Sequence, residues 1–243
     1  MMLDATKTVR ELALQFPQAT RVFEQAGIDY CCGGGNLLGD ACRTAGVDLD
    51  DLQRMLEKTA GTASTSSIDF PRLTLTELIS YILDTHHVFT RNEMARLDLL
   101  MAKVVAAHAE NHSELLAMST LLRQLFDDLT PHMFKEEQIL FPFVVELEQS
   151  SLQGRAAPFA PFGTINNPIR MMMMEHDTAG EILRELRKLS SNYAVPVDAC
   201  ASYQTLYQSL ETFERDLHQH IHLENSILFP KAIAMEEKLQ QSF

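Results

Sequence analysis

The sequence predicts an all-α protein in two parts, a small N-terminal helical domain and a larger four-helix bundle. Three observations carry this expectation. Apolar residues recur at helical spacing through long stretches beyond residue 70, as at Leu78, Ile82, Met94 and Leu97. No alternating strand pattern competes with them. Two segments of the C-terminal region also repeat one another's motif, as a bundle built from two copies of a helical hairpin would.

The N-terminal part, residues 1–59, reads as a few short helices. Thr8-Val-Arg-Glu11 has the form of a capping box and opens the first. Pro17 suits a helical first turn and Gly27 a stop. Ile28-Asp29-Tyr30-Cys31-Cys32-Gly33-Gly34-Gly35 reads as a loop, and Leu49 to Lys58 as another helix. Residues 60–70, AGTASTSSIDF, are small and polar, which predicts an interdomain linker. Thr74-Leu-Thr-Glu77 is a second capping box. It opens the bundle, residues 71–243, whose helices are expected at about 74–107, 113–148, 168–190 and 198–239. The stretch 150–167, rich in Pro, Gly and Ala, reads as the long connection between the two halves.

Composition narrows the function. Asp and Glu outnumber Lys and Arg by 33 to 20 with no basic tract, which argues against nucleic acid as a partner. The N-terminus carries an acid at position 4 and no apolar run, so it does not read as a signal peptide, and no stretch approaches a membrane span. The cysteines, Cys31, Cys32, Cys42 and Cys200, lack zinc-site spacing and are expected to be reduced thiols in the cytoplasm.

The chemistry lies in the repeat. His132-x3-Glu136-x2-Ile-Leu-Phe-Pro142 is echoed by His220-x3-Glu224-x2-Ile-Leu-Phe-Pro230. On a helix, positions four apart share a face, so each His and Glu can reach one point. Each pair has an upstream histidine at nearly the same distance, His87 in the first copy and His176 in the second, and the apolar positions after these two match in register. Folded as a bundle, the copies would gather His87, His132, Glu136, His176, His220 and Glu224 around one centre. Imidazole with carboxylate suits iron, whereas structural zinc usually recruits thiolate. Two glutamates from facing helices can each bridge two metals.

Other residues receive blander readings. Ile-Leu-Phe-Pro is expected to be core with a helix bend at its proline, and Pro131 to kink or restart a helix. Met171 to Met174 read mostly as core filler. His86, His218 and His222 fall off the ligand face, at the surface or in an outer ring. Glu137 is also off that face, so replacing it is expected to matter little. By spacing alone, His108, with His112 four residues on, fits a solvated pair slightly better than a ligand.

Asp29-Tyr30-Cys31-Cys32-Gly33-Gly34, together with the His132 to Pro142 segment, Glu175-His176-Asp177-x-Ala179-Gly180-Glu181 and His220-x3-Glu224-Asn225, resembles the repair-of-iron-centres family of iron-sulfur cluster repair proteins (ScdA and YtfE type) almost end to end. The resemblance implies a hemerythrin-like bundle with two non-haem irons in an oxo- and carboxylate-bridged centre. Its ligand pattern falls on His87, His108, His132, Glu136, His176, His220 and Glu224, which brings His108 into the set. It also implies a stress-response function, with damaged iron-sulfur proteins as clients and nitric oxide or oxygen as small ligands. Iron donation and NO reduction both remain open as the chemistry, and a homodimer as the assembly.

Adjacent cysteines bridge one another only with strain. Cys31 and Cys32 therefore read as a free dithiol on a mobile, open glycine loop, where backbone amides lower thiol pKa values and the thiols take part in the chemistry. The rival reading is a hemerythrin-like carrier or sensor of oxygen or NO, which would use the same bundle but would not need the cysteine domain.

Overall fold

The computed structural model describes residues 3–60 and 68–242. Among those residues all the regular structure is helical, apart from one isolated bridge between Thr8 and Leu37. The predicted linker falls largely on residues 61–67, outside the described residues.

The N-terminal unit contains α1 (Val9–Gln15), α2 (Ala19–Gln25), α3 (Leu38–Ala45) and α4 (Leu49–Ala60). The Thr8 capping box forms in both directions: Thr8 Oγ1 accepts from the Glu11 amide at 3.1 Å, and Glu11 Oε2 accepts from the Thr8 amide at 2.8 Å. Gly27 ends α2 at a φ of 69°, which lets the Ile28 amide turn back to the Phe23 carbonyl at 2.8 Å. Val9, Leu12, Val22, Phe23, Leu38, Leu52 and Leu56 form the core of this unit. The expected open loop is in fact closed. Gly33–Gly35 makes a turn of 3-10 helix, and the Val9 amide donates to the Asn36 carbonyl behind it.

The bundle helices fall within about four residues of the expected bounds. The first consists of α5 (Leu75–Tyr81), a π-helical turn (Ile82–His87) and α6 (Val88–His108). The second is α7 (Glu114–Lys135), a π turn (Glu136–Leu140) and α8 (Phe141–Leu152). The third is α9 (Asn166–Leu189). The fourth is α10 (Ala201–Leu223), a π turn (Glu224–Leu228) and α11 (Phe229–Ser242). The repeated proline therefore produces a widened turn. Pro142 and Pro230 lack an N–H, and their rings would meet the carbonyl four residues back. In the π turn the chain instead closes Phe141 N–H to Glu136 O and Phe229 N–H to Glu224 O. Pro131 does not begin a new helix, since α7 continues through it.

Two apolar layers fill the bundle. One contains Leu97, Met101, Leu122, Leu183, Leu210 and Phe213. The other contains Leu78, Ile82, Phe141, Val144, Leu228 and Phe229. Of the four consecutive methionines only Met172 enters a core, because one helical turn offers a single inward position; Met171 and Met174 are exposed. The duplication extends to the bundle ends. Glu148 and Glu236 each lie twelve residues beyond the glutamate of their repeat. Glu148 accepts from the Leu75 and Thr76 amides at 2.8 and 2.9 Å, and Glu236 from the Ile165 amide at 3.0 Å. Each thus satisfies orphan donors where a helix of its half begins.

Candidate metal centre

A buried polar layer lies among these apolar residues. His87, His132, Glu136, His176, His220 and Glu224 are each no more than 2% exposed. Their ligand atoms form two groups, His87 with His220 and His132 with His176, and Glu136 and Glu224 belong to both. The Nε2 atoms of His87 and His220 are 3.2 Å apart, and those of His132 and His176 3.1 Å. Glu136 Oε2 lies 3.3 Å from His132 Nε2 and 3.5 Å from His87 Nε2, so it spans both groups. Glu224 does the same, with Oε1 2.9 Å from His220 Nε2 and Oε2 3.2 Å from His176 Nε2.

The outer nitrogens of these rings decide their tautomers. His87 Nδ1 meets Glu137 Oε1 at 2.7 Å, and His132 Nδ1 meets Glu175 Oε2 at 2.7 Å. Arg91 and Lys135 hold the same two carboxylates. Both carboxyls are kept below the usual range: at Glu137 the hydrogen bonds and the charges of His87 and Arg91 overcome burial, and at Glu175 the bond from His132 leads. An ionised carboxylate only accepts, so both imidazoles carry their proton on Nδ1. His176 Nδ1 meets Asn225 Oδ1 at 2.9 Å. The amide's orientation follows from its other end, where Nδ2 faces the Cys31 carbonyl at 3.5 Å and must donate. Three of the four rings are therefore turned with Nε2 toward the centre, where that nitrogen can take a second proton or a metal ion.

The pattern is pseudo-symmetric. Glu137 and Asn225 each follow the glutamate of their repeat, and each holds the upstream histidine. Glu175 precedes His176, and its counterpart before His87 is His86. There the symmetry breaks, because His86 stacks on the His220 ring at 5.6 Å instead of accepting its Nδ1 proton, and His220 Nδ1 has no partner.

These donors fit metal cations. Nε2 lone pairs at 3.1 to 3.2 Å repel unless a proton or a metal ion lies between them. Both oxygens of Glu136 and one of Glu224 are buried without a hydrogen-bond partner, a costly state for carboxylate that a cation would relieve. Protons partly fill this role in the metal-free chain. Burial alone would push the His132 imidazole down, but Glu136, Glu175 and Glu224 outweigh it and hold it up at about 10. Glu224 is pushed up by burial and by Glu136, yet His220 and His176 bring it to about 2. At His220 burial wins and the imidazole is pushed down.

His108 is the one expected ligand that stands apart. It closes α6 twenty-one residues beyond His87, and at 1.5 Å per residue that is on the order of 30 Å along the helix. Its ring lies 6.2 Å from that of His112 and 5.2 Å from that of Tyr203, so the pairing suggested by spacing is the one that forms. His86 and His222 are buried rather than superficial. His86 Nδ1 meets Asp216 at 3.0 Å, and His222 packs edge-on to Tyr30 at 5.2 Å, with its pKa lowered to about 4 by burial. Glu137, expected to matter little, orients a candidate ligand. A residue beside a ligand face can reach the face of the neighbouring helix, and spacing within one helix gives no sign of that.

The cysteine loop docks on the bundle. Cys31 is buried among the bundle's apolar residues, and Cys32 Sγ lies 3.4 Å from the His176 carbonyl oxygen. A Cβ on Gly180 would stand 3.2 Å from that sulfur, so a glycine within α9 admits it. Asp29 Oδ1 accepts from the amides of Cys31 and Cys32 at 3.1 and 2.9 Å. Those amides are therefore occupied, and the expected drop in thiol pKa does not occur at Cys31. The neighbouring Cys32 thiol, burial and Asp29 push it well above its ordinary range.

Comparison with known proteins agrees with this architecture. Residues 78–232 match the hemerythrin HHE cation binding domain family, and residues 5–60 match a domain of unknown function, ScdA_N (DUF542). The chain is similar to iron-sulfur cluster repair proteins YtfE from Yersinia pseudotuberculosis and Yersinia pestis. It is 36% identical to each over 225 residues, covering 93% of this chain and 96% of the relative.

Proposed function

The chain belongs to the iron-sulfur cluster repair proteins with a hemerythrin-like domain, and from that premise we propose that it is a di-iron repair factor for iron-sulfur clusters damaged by nitrosative or oxidative stress. The observation that carries the di-iron reading is the sharing of Glu136 and Glu224 between two histidine pairs. Each pair, with one oxygen from each glutamate, would make a four-donor set for one ion, and the two carboxylates are placed to serve both sets. Bound iron would supply redox chemistry and an open position for NO or oxygen.

The remaining roles belong to the chain. Glu137, Glu175 and Asn225 hold three imidazoles with Nε2 inward, and such outer contacts orient and strengthen ligands. The apolar layers above and below limit water. Residues 71–243 hold the metal, while residues 1–59 bring the thiols of Cys31 and Cys32 against the helix that carries His176. We assign these thiols to the exchange of iron or NO with a client. No described helix is long and apolar enough to cross a membrane. The reducing cytoplasm, where unbridged thiols persist, suits this role.

The test is reactivation of an NO-inactivated iron-sulfur enzyme. Iron-loaded protein is expected to restore activity and Cys31→Ser/Cys32→Ser to restore it more slowly at equal iron content. Equal rates from the metal-free protein would overturn the proposal. A reduced protein that forms a stable, reversible oxygen complex would point to a carrier.

A further inference from the structure

We infer that Asp29, Cys31 and Cys32 form a second metal site, a thiolate station for one borderline divalent ion on the outer side of the His/Glu centre. One ligand atom from each of the three residues can be chosen so that all lie within 4.8 Å of one another. The two sulfurs are unbonded at 3.8 Å, and Asp29 Oδ1 is 3.3 Å from Cys31 Sγ.

These separations suit coordination. Two sulfurs about 2.3 Å from one tetrahedral ion stand ~3.8 Å apart, and a carboxylate oxygen at about 2.0 Å stands ~3.5 Å from each sulfur. The thiols are thus spaced as ligands around a common point before any ion arrives. Adjacent cysteines resist bridging each other, so the pair persists as a dithiol.

The surroundings favour a site that exchanges its ion. Three protein donors leave a fourth position open, the pattern of catalytic rather than structural sites. The His176 carbonyl oxygen, 3.4 Å from Cys32 Sγ, borders the cluster. Cys32 remains half-buried, so an ion there can be reached from outside, while Cys31 is enclosed. Asp29 Oδ2 is held by Arg184 at 3.3 Å, which limits how far the carboxylate can swing. Binding replaces the two thiol protons, which leave to solvent. The charge of the ion reverses the local penalty against thiolate, and no electron is transferred.

One residue adjoins both places. The His176 ring faces the His/Glu centre, and its carbonyl faces Cys32. The site itself rests on the geometry of residues 29–32 and does not require the bundle to hold iron. Its cargo, a ferrous ion travelling to or from the bundle, rests on the function proposed above.

Cobalt(II) titrated into the reduced, metal-free full chain tests the site, because thiolate and imidazole–carboxylate coordination absorb differently. Wild type is expected to develop a sulfur-to-cobalt charge-transfer band saturating at about one equivalent per chain, and X-ray absorption at the cobalt edge to show sulfur neighbours. Cys31→Ser/Cys32→Ser is expected to lose the band and retain the imidazole–carboxylate bands. Cys32→Ser alone, at the more exposed position, is expected to weaken the band at least tenfold in affinity if the double variant unfolds. A wild-type protein without the band or sulfur neighbours, or a band that survives both substitutions and so belongs to Cys42 or Cys200, would overturn the inference. Because the two kinds of band are read separately, failure of this site and failure of the bundle centre are distinguishable.

Discussion

Asn225 Oδ1 stands 2.9 Å from Nδ1 of His176, in the place that Glu137 holds toward His87 in the other half of the bundle. One position after each repeat's glutamate is thus a clamp on the upstream histidine, ionic in one half and neutral in the other. The neutral clamp also reaches the Cys31 carbonyl, so it links the docked loop to the candidate ligand. Glu137→Ala and Asn225→Ala are expected to lower metal affinity by about 10- to 100-fold, since each frees a ring whose tautomer and direction were set. Competition with a chelator measures this. Unchanged affinity in both variants would remove the clamps from the account.

Glu136 and Glu224 are a different case, because each belongs to both His/Glu groups that could hold a metal ion. Replacing either with Leu is expected to reduce iron from about two per chain to at most about one, with helical content retained, since each position lies inside a well-packed helix. Elemental analysis with circular dichroism reads both. A Leu variant that keeps two irons would show that the carboxylate does not bridge.

The legible parts of the fold were those encoded within a single helix. His132 and Glu136 lie four apart on one face, and so do His220 and Glu224, so the site's core could be read from spacing and duplication. Capping boxes at Thr8 and Thr74 were visible for the same reason. The unreadable parts arise between elements. The reach of Glu137 to His87, the stacking of His86 on His220 and the seat of Cys32 at Gly180 depend on how helices meet. The proline motif showed that something must happen near residues 142 and 230, but a bend and a π turn both answer a missing N–H. His108 was misplaced because resemblance carried it into the set, while helix rise puts it far from His87.

The metal-free centre should also make stability depend on pH. The His132 imidazole is raised from 6.5 to about 10 in the folded chain, so its contribution is fully present below pH 6.5 and is lost as pH rises through about 10. Glu224 is lowered from 4.5 to about 2, so its contribution is present above pH 4.5 and is lost as pH falls through about 2. The buried His222, lowered from 6.5 to about 4, withdraws stability as pH falls below 6.5, so thermal unfolding of metal-free protein is expected to show its highest midpoint near pH 6.5, with a decline on the alkaline side. Metal replaces the proton at His132, so loading should flatten that alkaline decline. A metal-free midpoint that stays level from pH 6.5 to 10 would contradict this proton count.

Gly180 offers the sharpest test of docking. It lies inside α9, where glycine is about 1 kcal/mol less favourable than alanine, so helix stability alone argues against it. What it provides is space, because a Cβ there would stand 3.2 Å from Cys32 Sγ and 3.9 Å from Cys32 Cβ. A methyl group needs the sulfur to give by only a few tenths of an ångström. Gly180→Ala is therefore expected to change stability little, its gain in helix propensity offsetting the contact. A branched side chain cannot be accommodated by so small a shift, so Gly180→Val is expected to lift Cys32 from the His176 carbonyl. His176 keeps its Nε2 toward the centre through Asn225, so metal content should hold. The measurement is site-resolved alkylation by mass spectrometry on the metal-loaded protein. Cys32 should react faster in Gly180→Val than in wild type, with the exposed Cys200 unchanged as the internal reference. Equal Cys32 rates in the two proteins would mean that the thiol is not held at this notch.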